Sequence, residues 1–368
     1  MDQNQTKLGV REYVAMGILM VGAKATEDTP AILFQEAQNA SWMIPLLSAA
    51  MFLIPFYLLL KTVSLYQGKD LFFVIRKLLG KYMGMAVCLL IFLISSFAIS
   101  FDSRTYTNII RSYYFPTTPV VVIYAMLMAI CGYGAKKGLQ HIGSVSYLVV
   151  FYSVLSLYIA LLLSTQDGSI RAMFPILGSG PVNILKGSVH GLTLFADFFL
   201  FTTIIPFVKS GKDFRKGTWI AFVYIAIELS AIILVYICMF ETSLDTIHFP
   251  FHTLIRYISL GSYLPNVEII FFVIWLLSAF IRFTVFLYIN AMMFGFVFKI
   301  KDFEYLIPSL ATLYLLIGTI PESTLVVEQF KMVISGAGGL VFTVFSVMLW
   351  LVAMLRGEFK HAKNKNHM

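Results

Sequence analysis

Apolar residues fall along the chain in blocks, not in alternation. Between clusters of charge, ten apolar runs stand out, at roughly 11–33, 41–60, 83–101, 118–134, 143–164, 185–207, 218–240, 266–298, 304–320 and 332–355. Most are close to the ~20 residues that carry an α-helix across ~30 Å of hydrocarbon. Lipid offers backbone N–H and C=O groups no partner, so such segments must bond internally as helices. Unbroken runs of this length also lack the every-other-residue pattern of a barrel strand. The pattern predicts an all-α polytopic membrane protein with ten transmembrane helices. They divide into two sets of five, over 1–164 and 185–355, followed by a basic tail over 356–368.

The first run is broken. Val14–Ala23 is apolar for ten residues, about 15 Å of helix. Lys24-Ala25-Thr26-Glu27-Asp28-Thr29-Pro30 follows, and apolar residues resume at Ala31–Phe34. Half a span, a polar interruption between Gly22 and Pro30, and a second half predict a discontinuous helix whose freed backbone lines a cavity. The alternative is a short span followed by a loop over 24–30. In the sixth run, Phe195-Ala196-Asp197 places an acid at mid-span, which requires pairing or hydration. Gly187 and Gly191 in the same run read as packing glycines.

Further polar groups lie at depth. Glu228 and Arg282 sit near the middle of runs seven and eight. Lone charges there pair inside the bundle, so a Glu228–Arg282 or Asp197–Arg282 pair is expected, either structural or facing a substrate. Ser95, Ser96 and Ser100, followed by Asp102 and Arg104, read either as hydroxyls bonded to their own helix or as a polar cavity wall with Phe97 as its apolar cover. Arg282, Thr284 and Tyr288 cannot all share one helix face. His190, the one histidine inside a run, reads as packing, with a proton relay as the alternative. A short amphipathic helix is expected over His252–Tyr263.

Composition agrees with the pattern. The chain has 368 residues, 59% hydrophobic and 12% charged, too apolar for a soluble domain to cover. Its net charge of +8 would suggest nucleic acid if the protein were soluble, but the placement of the charges argues otherwise. Of 27 lysines and arginines, nineteen fall in alternate inter-run loops and the termini, six on the opposite side (counting Lys186 at the first turn of the sixth run), and Lys24 and Arg282 deep within runs. That asymmetry places both termini in the cytoplasm and assigns the basic charge to topology and anionic lipid, with no nucleic-acid partner. Asp2, Lys7, Arg11 and Glu12 lead the first run and no small-residue cleavage site ends it, so no cleaved signal is expected. Cys88, Cys131 and Cys238 are scattered through apolar runs and give neither a disulfide framework nor a metal site. No nucleotide, metalloprotease or serine-hydrolase motif is present, so neither a cofactor nor an enzymatic activity is expected.

The segment Gly22-Ala23-Lys24-Ala25-Thr26-Glu27-Asp28-Thr29-Pro30, with Phe34-Gln35-Glu36-Ala37-Gln38-Asn39-Ala40-Ser41-Trp42-Met43-Ile44-Pro45 after it, resembles the start of the B subunits of spore germinant receptors. The basic loop with Asp70, Arg76, Lys77 and Gly80-Lys81, and the sixth-run end at Pro206-Phe207, fit as well. The resemblance implies membership of the amino acid–polyamine–organocation superfamily and a LeuT-type inverted repeat of five plus five helices, unwound in helices one and six. It implies residence in the inner membrane of the endospore, assembly with an A-type subunit and a lipoprotein C subunit, and binding of a nutrient germinant such as an amino acid or sugar. Carried onto this chain, the binding residues would be Gly22, Ala23, Lys24 and Thr26, with Ser95, Ser96, Phe97, Phe195, Ala196, Asp197 and Thr284. Asp197 departs from the small residue more usual there, and run five has no lysine of the kind that replaces sodium in some proton-coupled relatives. The expected function is a germinant-sensing membrane subunit; the alternative is a secondary transporter for amino acids or similar solutes.

Overall fold

The computed structural model describes residues 7–66, 68–165, 168–258 and 268–360. Every apolar run is helical, and among the described residues the only β-pairing is an isolated parallel bridge from Leu8 to Val208. Among the described residues, seven segments are long and apolar enough to cross a bilayer. They are α3 (Met43–Val63), α5 (Lys81–Tyr113), α7 (Leu139–Ser164), the irregular segment Pro181–Phe207, α10 (Gly211–Phe240 of the span Gly211–Asp245), α12 (Glu268–Phe298) and α14 (Thr324–Leu355). Two apolar helices are shorter, α6 (Val120–Lys136) and α13 (Ile307–Thr319).

The first run is split as its polar interruption predicts. Helix α1 (Val10–Val21) passes into a 3-10 turn over Gly22–Thr26, and α2 (Thr29–Ala37) follows with Pro30 in its first turn. Proline has no N–H to donate and suits a helix start, so the break falls where the sequence can tolerate it. The Pro181–Phe207 segment is split likewise into α8 (Pro181–His190), a 3-10 stretch over Gly191–Leu194, α9 (Asp197–Phe201) and a second 3-10 stretch over Thr202–Phe207.

Helix α1 is wrapped by α7, α10 and α12, while α14 packs on α3 and α5. Leucine-rich surfaces gain little by leaving lipid for one another, so close contact must come from shape. Gly339 of α14 shows how. A Cβ there would lie 2.8 Å from Thr193 Cγ2 and 3.1 Å from Thr193 Cα, so α14 rests directly on the second break. Gly339→Val is expected to lose ~1–3 kcal/mol through overpacking, seen as a lower thermal midpoint in detergent. Gly336→Val, whose Cβ would meet open space, should leave the midpoint in place.

Two loop expectations are revised. Part of the basic 61–82 segment is an amphipathic helix, α4 (Leu71–Leu79), capped by Asp70 Oδ1, which accepts from Phe73 N–H at 2.7 Å. Its residues Leu71, Phe72, Val74, Ile75 and Leu78 are buried. The amphipathic stretch expected at His252–Tyr263 is helix α11 (Pro250–Tyr257), with His252 buried against Trp275; the rest of that stretch, from residue 259, lies outside the described residues, as does the tail beyond 360.

Candidate functional site

A broken helix exposes backbone carbonyls that must find donors. At the first break, Ala23 O accepts from Thr26 Oγ1 at 2.8 Å and from the Tyr106 hydroxyl at 3.3 Å, and Ala25 O from the Tyr236 hydroxyl at 3.2 Å. Met20 O accepts from the Arg282 guanidinium. At the second break, the Lys24 ammonium donates to Thr193 O at 2.9 Å and to Leu194 O at 3.1 Å. Helix C-terminal ends carry partial negative charge, so both breaks draw cations.

Those cations gather carboxylates. Lys24 lies 2.9 Å from Asp197 Oδ2, which is 3.9 Å from Arg282 Nη2. Arg282 grips Asp102 Oδ2 through Nε at 3.0 Å and Nη2 at 2.7 Å. Lys331 of α14 lies 3.5 Å from Asp102 Oδ1 and donates to Glu27 Oε2 at 2.9 Å and Asp28 Oδ1 at 2.6 Å. A continuous chain of ion pairs thus joins both breaks to α5, α12 and α14. Glu27 and Asp28 also precede the N-terminus of α2, where the dipole favours negative charge.

This network lines a chamber of about 750 Å³. Lys24, Ser95, Asp102, Asp197, Arg282 and Lys331 supply its polar wall, and Leu200, Phe286 and Phe342 part of its apolar lining. It reaches the surface beside Glu36 and His190, which pair at 2.9 Å, the His190 side chain being 69% exposed. His248 and Glu328 approach to 3.5 Å. On the side of the N-terminal residues the bundle is shut. Tyr13 stacks on Phe201 at 4.6 Å and hydrogen-bonds Thr218 at 2.8 Å, and Leu8 N–H donates to Phe207 O at 2.8 Å. The volume suits a small ligand, since such sites run to ~300–1,000 Å³.

Of the residues singled out from sequence, Lys24, Ser95, Ala196, Asp197 and Arg282 line the chamber. Gly22, Ala23, Thr26 and Glu228 line a smaller void of about 60 Å³. Four others are placed elsewhere. Phe97 is 39% exposed on the outer surface and is no cover. Ser96 hydrogen-bonds Tyr314 at 3.2 Å, and Thr284 donates to Cys131 O at 3.4 Å. Phe195 is fully buried beside Phe52 and Phe222, an aromatic cluster away from the ligand space. The Glu228–Arg282 pair does not form, because Arg282 is held by Asp102; the Asp197–Arg282 alternative exists as a looser contact. His190 stands at the mouth and not in a packed interior. Asp102, named from sequence beside the serines of the third run, also lines the chamber, and Lys331, one residue before the tenth run, joins it without a signal in the apolar pattern.

A profile of the family described as spore germination protein matches residues 13–325. Spore germination protein KB of Bacillus subtilis (strain 168) is 22% identical over 304 residues, covering 81% of this chain and 80% of its own length. Spore germination protein A2 of the same organism is 24% identical over 303 residues, covering 79% and 81%. GerQB of Bacillus cereus is 23% identical over 261 residues, covering 64% and 69%. With its split apolar helices and a profile match over most of its length, the chain belongs to the spore germination protein family of integral membrane proteins.

Proposed function

We propose that this chain is the germinant-sensing membrane subunit of a nutrient receptor in the inner membrane of the endospore. In this reading ten helices cross the bilayer as two inverted sets of five, the breaks fall in the first helix of each set, both termini are cytoplasmic, and A-type and lipoprotein C-type subunits receive the signal. The observation that carries it is the chamber between the two breaks, walled by Lys24–Asp197 and Arg282–Asp102. A nutrient binding there touches both half-helices. Its unequal affinity for their alternative arrangements shifts the population between them.

Charge narrows the ligand. Glu27, Glu36, Asp102, Asp197 and Glu328 line the chamber against the fixed cations Lys24, Arg282 and Lys331. The surplus of carboxylate favours a nutrient bearing an ammonium group, such as an amino acid, over a neutral sugar. Spores lacking this chain should lose germination toward one amine-bearing nutrient in a panel of amino acids and sugars, and should recover it on complementation. An unchanged response to the whole panel would contradict the reading.

A secondary transporter is the second reading. It draws support from a chamber open at one end of the bundle and shut at the other by Tyr13 and Phe201, as one state of an alternating cycle would be. Gradient-driven accumulation of solute by vesicles containing this chain alone would favour it.

A further inference from the structure

Glu228 takes no part in the ion-pair chain. It lies on α10 beside the end of α1, so close that a Cβ on Gly22 would sit 2.9 Å from its Oε2. The residue is 3% exposed. Oε1 accepts from the Tyr224 hydroxyl at 3.0 Å. Oε2 has no hydrogen-bond partner among the described residues, and the side chain faces the void of about 60 Å³. The void is walled by Ser153 and Ser156 of α7, Trp275 and Ser278 of α12, and Tyr106 of α5. A water needs ~10–15 Å³ measured this way and two to four polar partners, so the void can hold a few.

Among the described residues the surroundings carry no counter-charge. From α10 the facing titratable group is Tyr224, from α7 Tyr158 against that hydroxyl, and from α5 Tyr106; α1, α11 and α12 present only Ile18, Leu19, Gly22, Phe251, Phe271 and uncharged neighbours. Arg282, the cation that could have paired, is turned to Asp102. An isolated carboxylate in such a place is very costly, whereas the neutral acid is tolerated.

We propose that Glu228 and this void form a second site, separate from the chamber, whose ligand is a proton. The proton sits on Oε2 and exchanges with water in the void, while Tyr224 continues to donate to Oε1. Gly22 links the site to the chamber: it touches Glu228 on one side of the first break, and Lys24, two residues on, reaches Asp197 on the other. The proposal does not depend on the receptor reading, because its test needs no nutrient.

Infrared spectra of the full chain in lipid nanodiscs, in H2O and D2O at neutral pH, test it. A deuterium-sensitive carbonyl stretch of a protonated carboxyl should be present, should lose a distinct component in Glu228→Gln, and should keep that component in Glu322→Gln, a substitution on an exposed loop. Gly22→Ala, whose added methyl crowds Oε2, should shift its frequency. Glu228→Gln keeps the neutral shape and should fold. No such band in the wild type, a band unchanged in Glu228→Gln, or a band removed when sodium replaces choline at fixed pH would each overturn the proton site, the last in favour of an alkali cation.

Discussion

Arg282→Met should cost this protein most of its folded population. The guanidinium is 2% exposed, makes two hydrogen bonds to Asp102 Oδ2 and caps Met20 O at the first break. Methionine fills much of the volume but leaves the Asp102 carboxylate only its longer contact with Lys331, at 3.5 Å, and takes the guanidinium donor from Met20 O. Removing one partner of a buried pair typically costs ~3–5 kcal/mol, against a total stability of ~5–15 kcal/mol for a folded domain. The expected result is a strong drop in membrane abundance and thermal midpoint. Arg282→Met combined with Asp102→Leu removes that carboxylate as well and should recover much of the stability. Germination should stay lost, since the chamber wall is gone. A single mutant as stable as the wild type would mean that the pair contributes nothing.

Asp197→Asn should separate recognition from folding. Asp197 and Lys24 are partly open to the chamber, at 16% and 12% side-chain exposure. Asparagine can still accept from the Lys24 ammonium, which also keeps its bonds to Thr193 O and Leu194 O. Stability should therefore change far less than in Arg282→Met. The negative charge that ties the breaks together and faces the ligand space is lost, however. Germination should need at least ~10-fold more nutrient, the equivalent of ~1.4 kcal/mol. Lys24→Met should do the same, since it removes the ammonium from Asp197 and from Thr193 O and Leu194 O. Dose–response curves of spores carrying each variant measure this directly. Wild-type sensitivity in both would remove the chamber from the recognition step.

Much of this architecture was legible in the sequence, and the exceptions have physical causes. The interruption at Lys24–Pro30 and the acid at Asp197 were readable because each is a polar cost in an apolar run that only a cavity or a partner can offset. Their mutual contact was not readable, since it depends on two helices far apart in sequence. Asp102 falls just past the third apolar run and Lys331 just before the tenth, because a span of ~20 residues is shorter than either helix. Helix α5 runs for 33 residues and α14 for 32, about 50 Å each. The extra turns carry Asp102 and Lys331 into the bundle, where their charges are paired. Phe97 was misplaced because hydropathy does not tell a lipid-facing aromatic from a pocket-facing one; both are apolar. The helix over Leu71–Leu79 had a readable signal, apolar residues at 71, 74, 75 and 78 behind the cap Asp70, masked by the basic residues beside it.

The central claim is that nutrient occupies the chamber between the two breaks. With Cys88, Cys131 and Cys238 replaced by alanine, Thr193→Cys would place a thiol on the chamber wall at a half-buried position and Phe97→Cys one on the outer apolar surface. Labelling of membranes containing this chain with a small membrane-impermeant maleimide, with and without the amino acid that triggers germination, is the most direct test. The account predicts that the thiol at 193 reacts and is protected by that amino acid, and that the thiol at 97 does neither. Failure to label position 193, or labelling indifferent to a nutrient that still triggers germination, would contradict it.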